Sequence, residues 1–125
     1  PPEPLAKVQV PAGADATDLY YQGERKMKAG DFAGAIADLR ASLSLRRSLL
    51  TLTTLGQAYF DAGDFKNAER TLRRAGSYPR AMLLLARLYQ QRGQTSKARE
   101  VYKRFVAQHP NHSKAAWART MVDAL

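Results

Sequence analysis

The residues able to do chemistry are few, and their spacing argues against a reactive centre. The chain has no cysteine, which excludes thiol catalysis, iron-sulfur clusters, cysteinyl zinc sites and disulfides. Its two histidines, His109 and His112, sit in one His-Pro-Asn-His connector. A spacing of three offers two metal ligands on a helix, but Pro110 breaks the helix between them and no carboxylate lies nearby in sequence to complete a shell. We therefore read His109 as the cap of a helix end and His112 as a surface residue before the next helix. A Ser-His-Asp arrangement would have to be built around that single connector, and no nucleophile-elbow sequence is present. Gly30, Gly63 and Gly93 are isolated turn glycines, not a phosphate loop. Asp31 and Asp64 follow two of them and suit helix N-caps better than an acid and base pair. The expectation is a non-enzyme without cofactor or metal.

Charge is the first pointer to a partner. Lys and Arg number 20 against 11 Asp and Glu, a net of +9. The excess is uneven: residues 1–38 hold four basic and six acidic side chains, and residues 39–125 hold sixteen and five. Arg40, Arg46, Arg47, Arg70, Arg73, Arg74, Arg99, Lys103 and Arg104 recur along the second helix of each helix pair. Such a stripe either solubilises exposed helix faces or attracts an anionic partner such as nucleic acid or a lipid surface. Aromatic residues do not interleave with it and no nucleic-acid motif appears, which weighs against that second use.

The elements that must position these residues follow from composition and periodicity. At 125 residues and 45% apolar content the chain has room for one ordinary domain with a self-supporting core. Its longest apolar runs, such as residues 81–86, are far short of the roughly 20 residues that span a bilayer. Four of the six prolines fall at Pro1, Pro2, Pro4 and Pro11, so residues 1–14 read as an extended proline-rich linker or tail. With no initiating Met and no intact secretory signal, this lead is expected to belong to a longer parent protein. Alanine and arginine richness suggests a bacterial source of high genomic GC content, in cytoplasm or periplasm.

Residues 15–125 carry an internal repeat. AGDFAGA at residues 29–35 matches AGDFKNA at 62–68, and RGQTSKA at 92–98 is a weaker third copy. The glycines are 33 and then 30 residues apart, a period that signals stacked supersecondary units. Each copy is an apolar helical stripe, a glycine that ends the helix, and Asp31, Asp64 or Thr95 where the next helix wants a cap. Gly23, Gly56 and Ala86, opposite Ala35, Ala68 and Ala98, allow two helices to cross closely. The second unit is about four residues short, because residues 75–79 (AGSYP) stop its outer helix early.

At these residues the chain resembles the tetratricopeptide repeat (TPR) family. The middle copy, with Leu52, Leu55, Gly56, Ala58, Tyr59, Gly63, Asp64, Phe65 and Ala68, matches best. The resemblance implies an all-α fold, a right-handed α-solenoid of stacked antiparallel helix pairs with seven helices. Repeats are expected at about 16–48, 49–78 and 79–112, with a capping helix at 113–125 in which Trp117 plugs the core of the third repeat. Three positions depart from the pattern: Ser42 stands where Ala or Gly is commoner, Lys26 where the other copies have Tyr, and Trp117 falls one residue late.

The resemblance also implies where a partner docks. First helices of successive units line the concave side, which projects Tyr20, Glu24, Met27, Leu50, Thr53, Gln57, Phe60, Arg80, Leu83, Arg87 and Gln90 into a groove. Aromatic, apolar and amide side chains with two arginines suit an extended peptide or helix with some acidic character. The positions matching the family's clamp for chaperone C-terminal carboxylates are Tyr20, Glu24, Thr54, Arg80 and Leu84, of which only Arg80 is cationic, so that ligand is disfavoured. The expected function is a non-catalytic protein–protein interaction module binding another protein or a segment of its own parent. The alternatives are a cationic binder of nucleic acid or anionic membrane, and a structural module that self-associates.

Overall fold

The first helix starts at a side-chain cap, with Asp15 accepting from the Thr17 and Asp18 amides. The computed structural model describes residues 7–125 and contains seven α-helices and, among the described residues, no strand: α1 Ala16–Lys28, α2 Phe32–Leu45, α3 Leu49–Asp61, α4 Phe65–Arg74, α5 Pro79–Gln91, α6 Thr95–Gln108 and α7 Ala115–Ala124. Part of the expected proline-rich lead, residues 1–6, lies outside the described residues. From residue 7 to Asp15 there is no helix, only a turn in which the Ala14 amide donates to the Pro11 carbonyl at 3.1 Å.

The repeated Gly-Asp pair makes one device twice. Gly30 and Gly63 have φ of 82° and 80°, a left-handed conformation that costs any residue with a Cβ. The Gly30 amide then reaches the Met27 carbonyl at 3.0 Å and the Asp31 amide the Lys26 carbonyl at 2.8 Å, closing the end of α1. The Gly63 and Asp64 amides do the same with Phe60 and Tyr59 at the end of α3. Each Asp next caps the helix that follows. Asp31 accepts from the Gly34 amide at 2.9 Å, and Asp64 accepts from both the backbone and side-chain amides of Asn67. The third copy departs from expectation. Its N-cap is Gln94, whose side chain makes no cap bond, and Thr95 is already the first helical residue.

The chain divides into two compact units, one ending at Thr71 and the other Leu72–Leu125. In the first, α1 packs on α2 and α2 on α3. Gly23 makes the α1–α2 crossing possible, since a Cβ there would lie 2.8 Å from Leu39 Cγ, in a side chain with no solvent exposure. The departures from the repeat pattern are accommodated locally. Lys26 pairs with Asp38 of α2 at 2.8 Å, and Ser42 is buried with its hydroxyl on a backbone carbonyl of α1.

In the second unit α5 packs on α6 and α6 on α7. The buried side chains include Met82, Leu85, Ala86, Leu88 and Tyr89 of α5, Ala98, Val101, Tyr102 and Phe105 of α6, and Ala115 and Ala118 of α7. Pro79 opens α5 at its first turn, where a missing amide donor is harmless. The early stop of the preceding helix is seen directly: α4 has 10 residues where α2 and α6 have 14. The expected plug is corrected. Trp117 is 47% exposed, and the small residues Ala115 and Ala118 are what α7 buries. On an α-helix, residues 115 and 118 share a face that residue 117 cannot join.

Candidate functional site

In the unit ending at Thr71, the projected lining residues come from α1 and α3. The Tyr20 hydroxyl lies 3.3 Å from Thr54 Oγ1. Thr54 has one hydroxyl proton and spends it on the Leu50 carbonyl at 3.0 Å, so Tyr20 is the donor to Thr54. Glu24 and Met27 are half-buried on α1. On α3, Leu50 is exposed, Gln57 is half-buried with its amide donating to Asp61 at 2.7 Å, and half-buried Phe60 meets Phe65 edge to face at 5.9 Å. Thr53 differs from these. It is buried, and its hydroxyl proton is committed to the Leu49 carbonyl at 2.8 Å, so it offers a ligand no donor. Period-of-four reasoning places Thr53 beside Gln57; it does not reveal that a residue this short is covered by its larger neighbours.

In the unit Leu72–Leu125 the projected residues all lie on α5. Arg80 and Arg87 are exposed and Leu83 and Gln90 half-buried. Gln90 is oriented by α6: its Oε1 accepts from the Tyr102 hydroxyl at 2.5 Å. Burial pushes the Tyr102 phenol above its ordinary pKa, and the positive charge of Arg87 partly opposes that shift. The Tyr102 ring meets Trp117 of α7 edge to face at 5.5 Å, and Lys114 Nζ lies 5.8 Å from the Trp117 ring centroid. Sequence reasoning favoured a core position for Trp117 over an exposed ligand contact, and the ring stands half-exposed. The available signal was the extra residue before it, which turns it off the buried face of its helix.

The histidines of the connector are engaged structurally. His109 is the residue after α6, and its Nε2 lies 2.7 Å from the Ser77 carbonyl, so that nitrogen carries the proton and has no lone pair for a metal. His112 accepts at Nδ1 from the Lys114 amide at 3.0 Å and meets Phe105 edge to face at 5.1 Å. It is half-buried, not the surface residue expected.

The basic stripe has some local structure. Arg46 donates to Thr17 Oγ1 at 3.1 Å, and Arg40 is half-buried. On α4 and α6, Arg73 and Arg104 join Lys97 and Glu100 around an open cavity of about 340 Å³ floored by Leu85, Tyr89 and Val101. Lys97 Nζ sits 5.6 Å from the Tyr89 ring centroid. No helix among the described residues is long and apolar enough to cross a membrane.

With this geometry in place, comparison with known proteins gives a consistent answer. Two family models described as tetratricopeptide repeat match residues 20–81 and 80–112. No curated protein matches the chain in sequence. Among solved structures, the chain is similar to the first TPR of Spaghetti (RPAP3) bound to an HSP90 peptide, at 23% identity over 87% of this chain and 94% of that one, with a TM-score of 0.73. It is similar to the Yersinia enterocolitica type III secretion chaperone SycD in complex with a peptide of the translocator YopD, at 16% identity over 86% of this chain and 89% of that one, TM-score 0.76. It is also similar to Pseudomonas aeruginosa PcrH in complex with the chaperone-binding region of PopD, at 20% identity over 86% and 88% of the respective chains, TM-score 0.75. At these identities the likeness is one of fold. Periodicity, helix order and family match agree, and the chain belongs to the tetratricopeptide repeat family.

Proposed function

We propose that the chain is a non-catalytic interaction module that holds a peptide or helix of a partner protein, with candidate contact residues on α1 and α3 in the unit ending at Thr71 and on α5 in the unit Leu72–Leu125. The observation that carries this reading is the tetratricopeptide repeat match across residues 20–112, supported by three structural neighbours whose bound partners are peptides or a partner's binding region. The lining adds chemistry to it. Tyr20, Glu24, Met27, Leu50, Gln57 and Phe60 in one unit, and Arg80, Leu83, Arg87 and Gln90 in the other, combine apolar surface with amide and guanidinium donors. A partner segment with acidic side chains suits Arg80 and Arg87. Whether that segment belongs to another protein or to a longer parent, its recognition requires the same side chains. Thr53 is withdrawn from the binding set because it is buried.

The test is to titrate an acidic peptide into the chain and into Phe60→Ala and Arg87→Ala variants. Loss of a buried anchor costs about 2 kcal/mol, roughly thirtyfold in affinity. Unchanged affinity in both variants contradicts this reading.

A second reading rests on the cavity ringed by Arg73, Lys97 and Arg104. An anion bound there would lose affinity linearly in log salt. Binding of nucleic acid or acidic vesicles that is steeply salt-dependent and lost in Arg104→Ala would favour it over the peptide reading. Self-association, the third role considered, predicts a mass that rises with concentration in the ultracentrifuge.

A further inference from the structure

Trp117 is the single tryptophan of the chain, and it is 47% exposed on a helix whose buried positions are alanines. Ala115 and Ala118 are the residues α7 fully buries, and the indole lies off that face. The ring is nonetheless held in place. Its edge-to-face contact with Tyr102 is at 85°, and Tyr102 is in turn fixed by its hydrogen bond to Gln90. That bond occupies the Gln90 carbonyl oxygen and leaves its amide N–H groups as oriented donors. Arg87, one turn earlier on the same face of α5, is exposed. Lys114, three residues before Trp117, adds a second cation beside the indole. An indole and an amide thus contact one buried phenol, with Arg87 one turn away along α5 and Lys114 beside the indole, all within the unit Leu72–Leu125.

We propose that Arg87, Gln90 and Trp117 form an anchor site for a partner peptide that carries a large apolar side chain close to an acidic one. The site rests on the reading of the chain as a peptide-binding module and specifies its chemistry. The apolar side chain packs on the Trp117 indole, the Gln90 amide donates to a peptide carbonyl, and the carboxylate pairs with Arg87, with Lys114 as the nearby second cation. Trp and Arg are the residue types that most often dominate interface energetics, and both cations here select against a basic segment. Charge chooses among occupants. A second copy of this chain carries a net charge of +9, which opposes its approach, whereas an acidic segment is attracted to the site.

Because Trp117 is the sole tryptophan, its fluorescence reports on the site without a label. The probe is a set of short peptides pairing one Glu with one Phe or Leu at varied spacing, with matched peptides that carry Lys for Glu or Ser for the apolar residue. Binding of the acidic-apolar peptides is expected to shift Trp117 emission to the blue and shield it from acrylamide. Labelled-peptide anisotropy is expected to show affinity at least about tenfold weaker for Trp117→Ala and Arg87→Ala. Trp117→Phe should recover most of the loss, and circular dichroism should show every variant folded. Peptides that bind, depend on Phe60 and leave Trp117 emission and the Trp117→Ala affinity unchanged overturn the anchor site while the broader binding role stands. Equal binding of the Lys-substituted peptides overturns the charge assignment. Indole shielding that follows protein concentration without peptide assigns the surface to self-association and overturns the proposal. No binding by any peptide of the set overturns both readings.

Discussion

The Ser42 hydroxyl donates to the Ala16 carbonyl oxygen at 2.6 Å, a buried bond that ties the last turns of α2 to the first residue of α1. The site is closed to water, so the donor cannot be replaced by solvent once removed. Ser42→Ala should cost about 1 kcal/mol, lowering Tm by roughly 4–6 °C for a domain of this size. Ser42→Val should cost more, because it loses the bond and overfills the space. Thermal unfolding followed by circular dichroism checks both, and an unchanged Ser42→Ala melting point would show that the bond contributes nothing.

Gly23 offers a sharper packing test. An added Cβ would meet Leu39 Cγ at 2.8 Å, and Leu39 is fully buried and cannot yield cheaply. Alanine gains about 1 kcal/mol of intrinsic helix preference over glycine, against an overpacking cost of about 1–3 kcal/mol. Gly23→Ala should therefore destabilise by about 1 kcal/mol in urea unfolding. A stabilised variant would mean that α1 and α2 do not meet as closely as described.

Helix caps predict a gain as well as a loss. Asp31 and Asp64 each accept an amide at the start of a helix, whereas Gln94 makes no such side-chain bond at the start of α6. Asp31→Ala and Asp64→Ala should each cost about 1 kcal/mol. Gln94→Asp should stabilise the chain by about 0.5–1 kcal/mol by supplying the missing acceptor. Denaturant titration of the three variants gives the comparison.

Tyr102 predicts a pH dependence with a defined sign. Burial raises its folded pKa above the ordinary value of 10.0, so folding favours the neutral phenol. The stability it contributes is fully present below that ordinary value and is lost as pH rises from there through the folded pKa. Tyr102→Phe removes the bond to Gln90 and should cost about 1 kcal/mol near neutral pH. Above pH 10 the gap between wild type and variant should narrow. Melting curves at stepped pH values read this directly, and a gap that widens would contradict the assignment.

The helices were legible in the sequence because each rests on a local rule. Gly30 and Gly63 announce a left-handed stop, Asp31 and Asp64 announce a start, and Ala35 and Ala98 announce close crossings. Exposure at the projected lining positions was legible only in part, since periodicity gives direction and not depth. Thr53 points with Gln57 but is too short to reach past its neighbours, and its hydroxyl turns back to Leu49. Trp117 failed in the opposite sense. Large aromatic residues usually belong to a core, and that general preference was set against a one-residue shift that rotates the indole by about 100° away from the buried face. His112 depended on a contact with Phe105, seven residues away, across a connector whose path no short-range pattern supplies.

The most direct test of the binding account is chemical-shift mapping of the full chain against an acidic peptide that it retains. The account predicts perturbed amides and side chains at the projected contact residues, Gln57 in the unit ending at Thr71 and Arg87 in the unit Leu72–Leu125, with the Trp117 indole N–H among the largest shifts. Perturbations concentrated at Arg73, Lys97 and Arg104, with those contact residues unmoved, would contradict it.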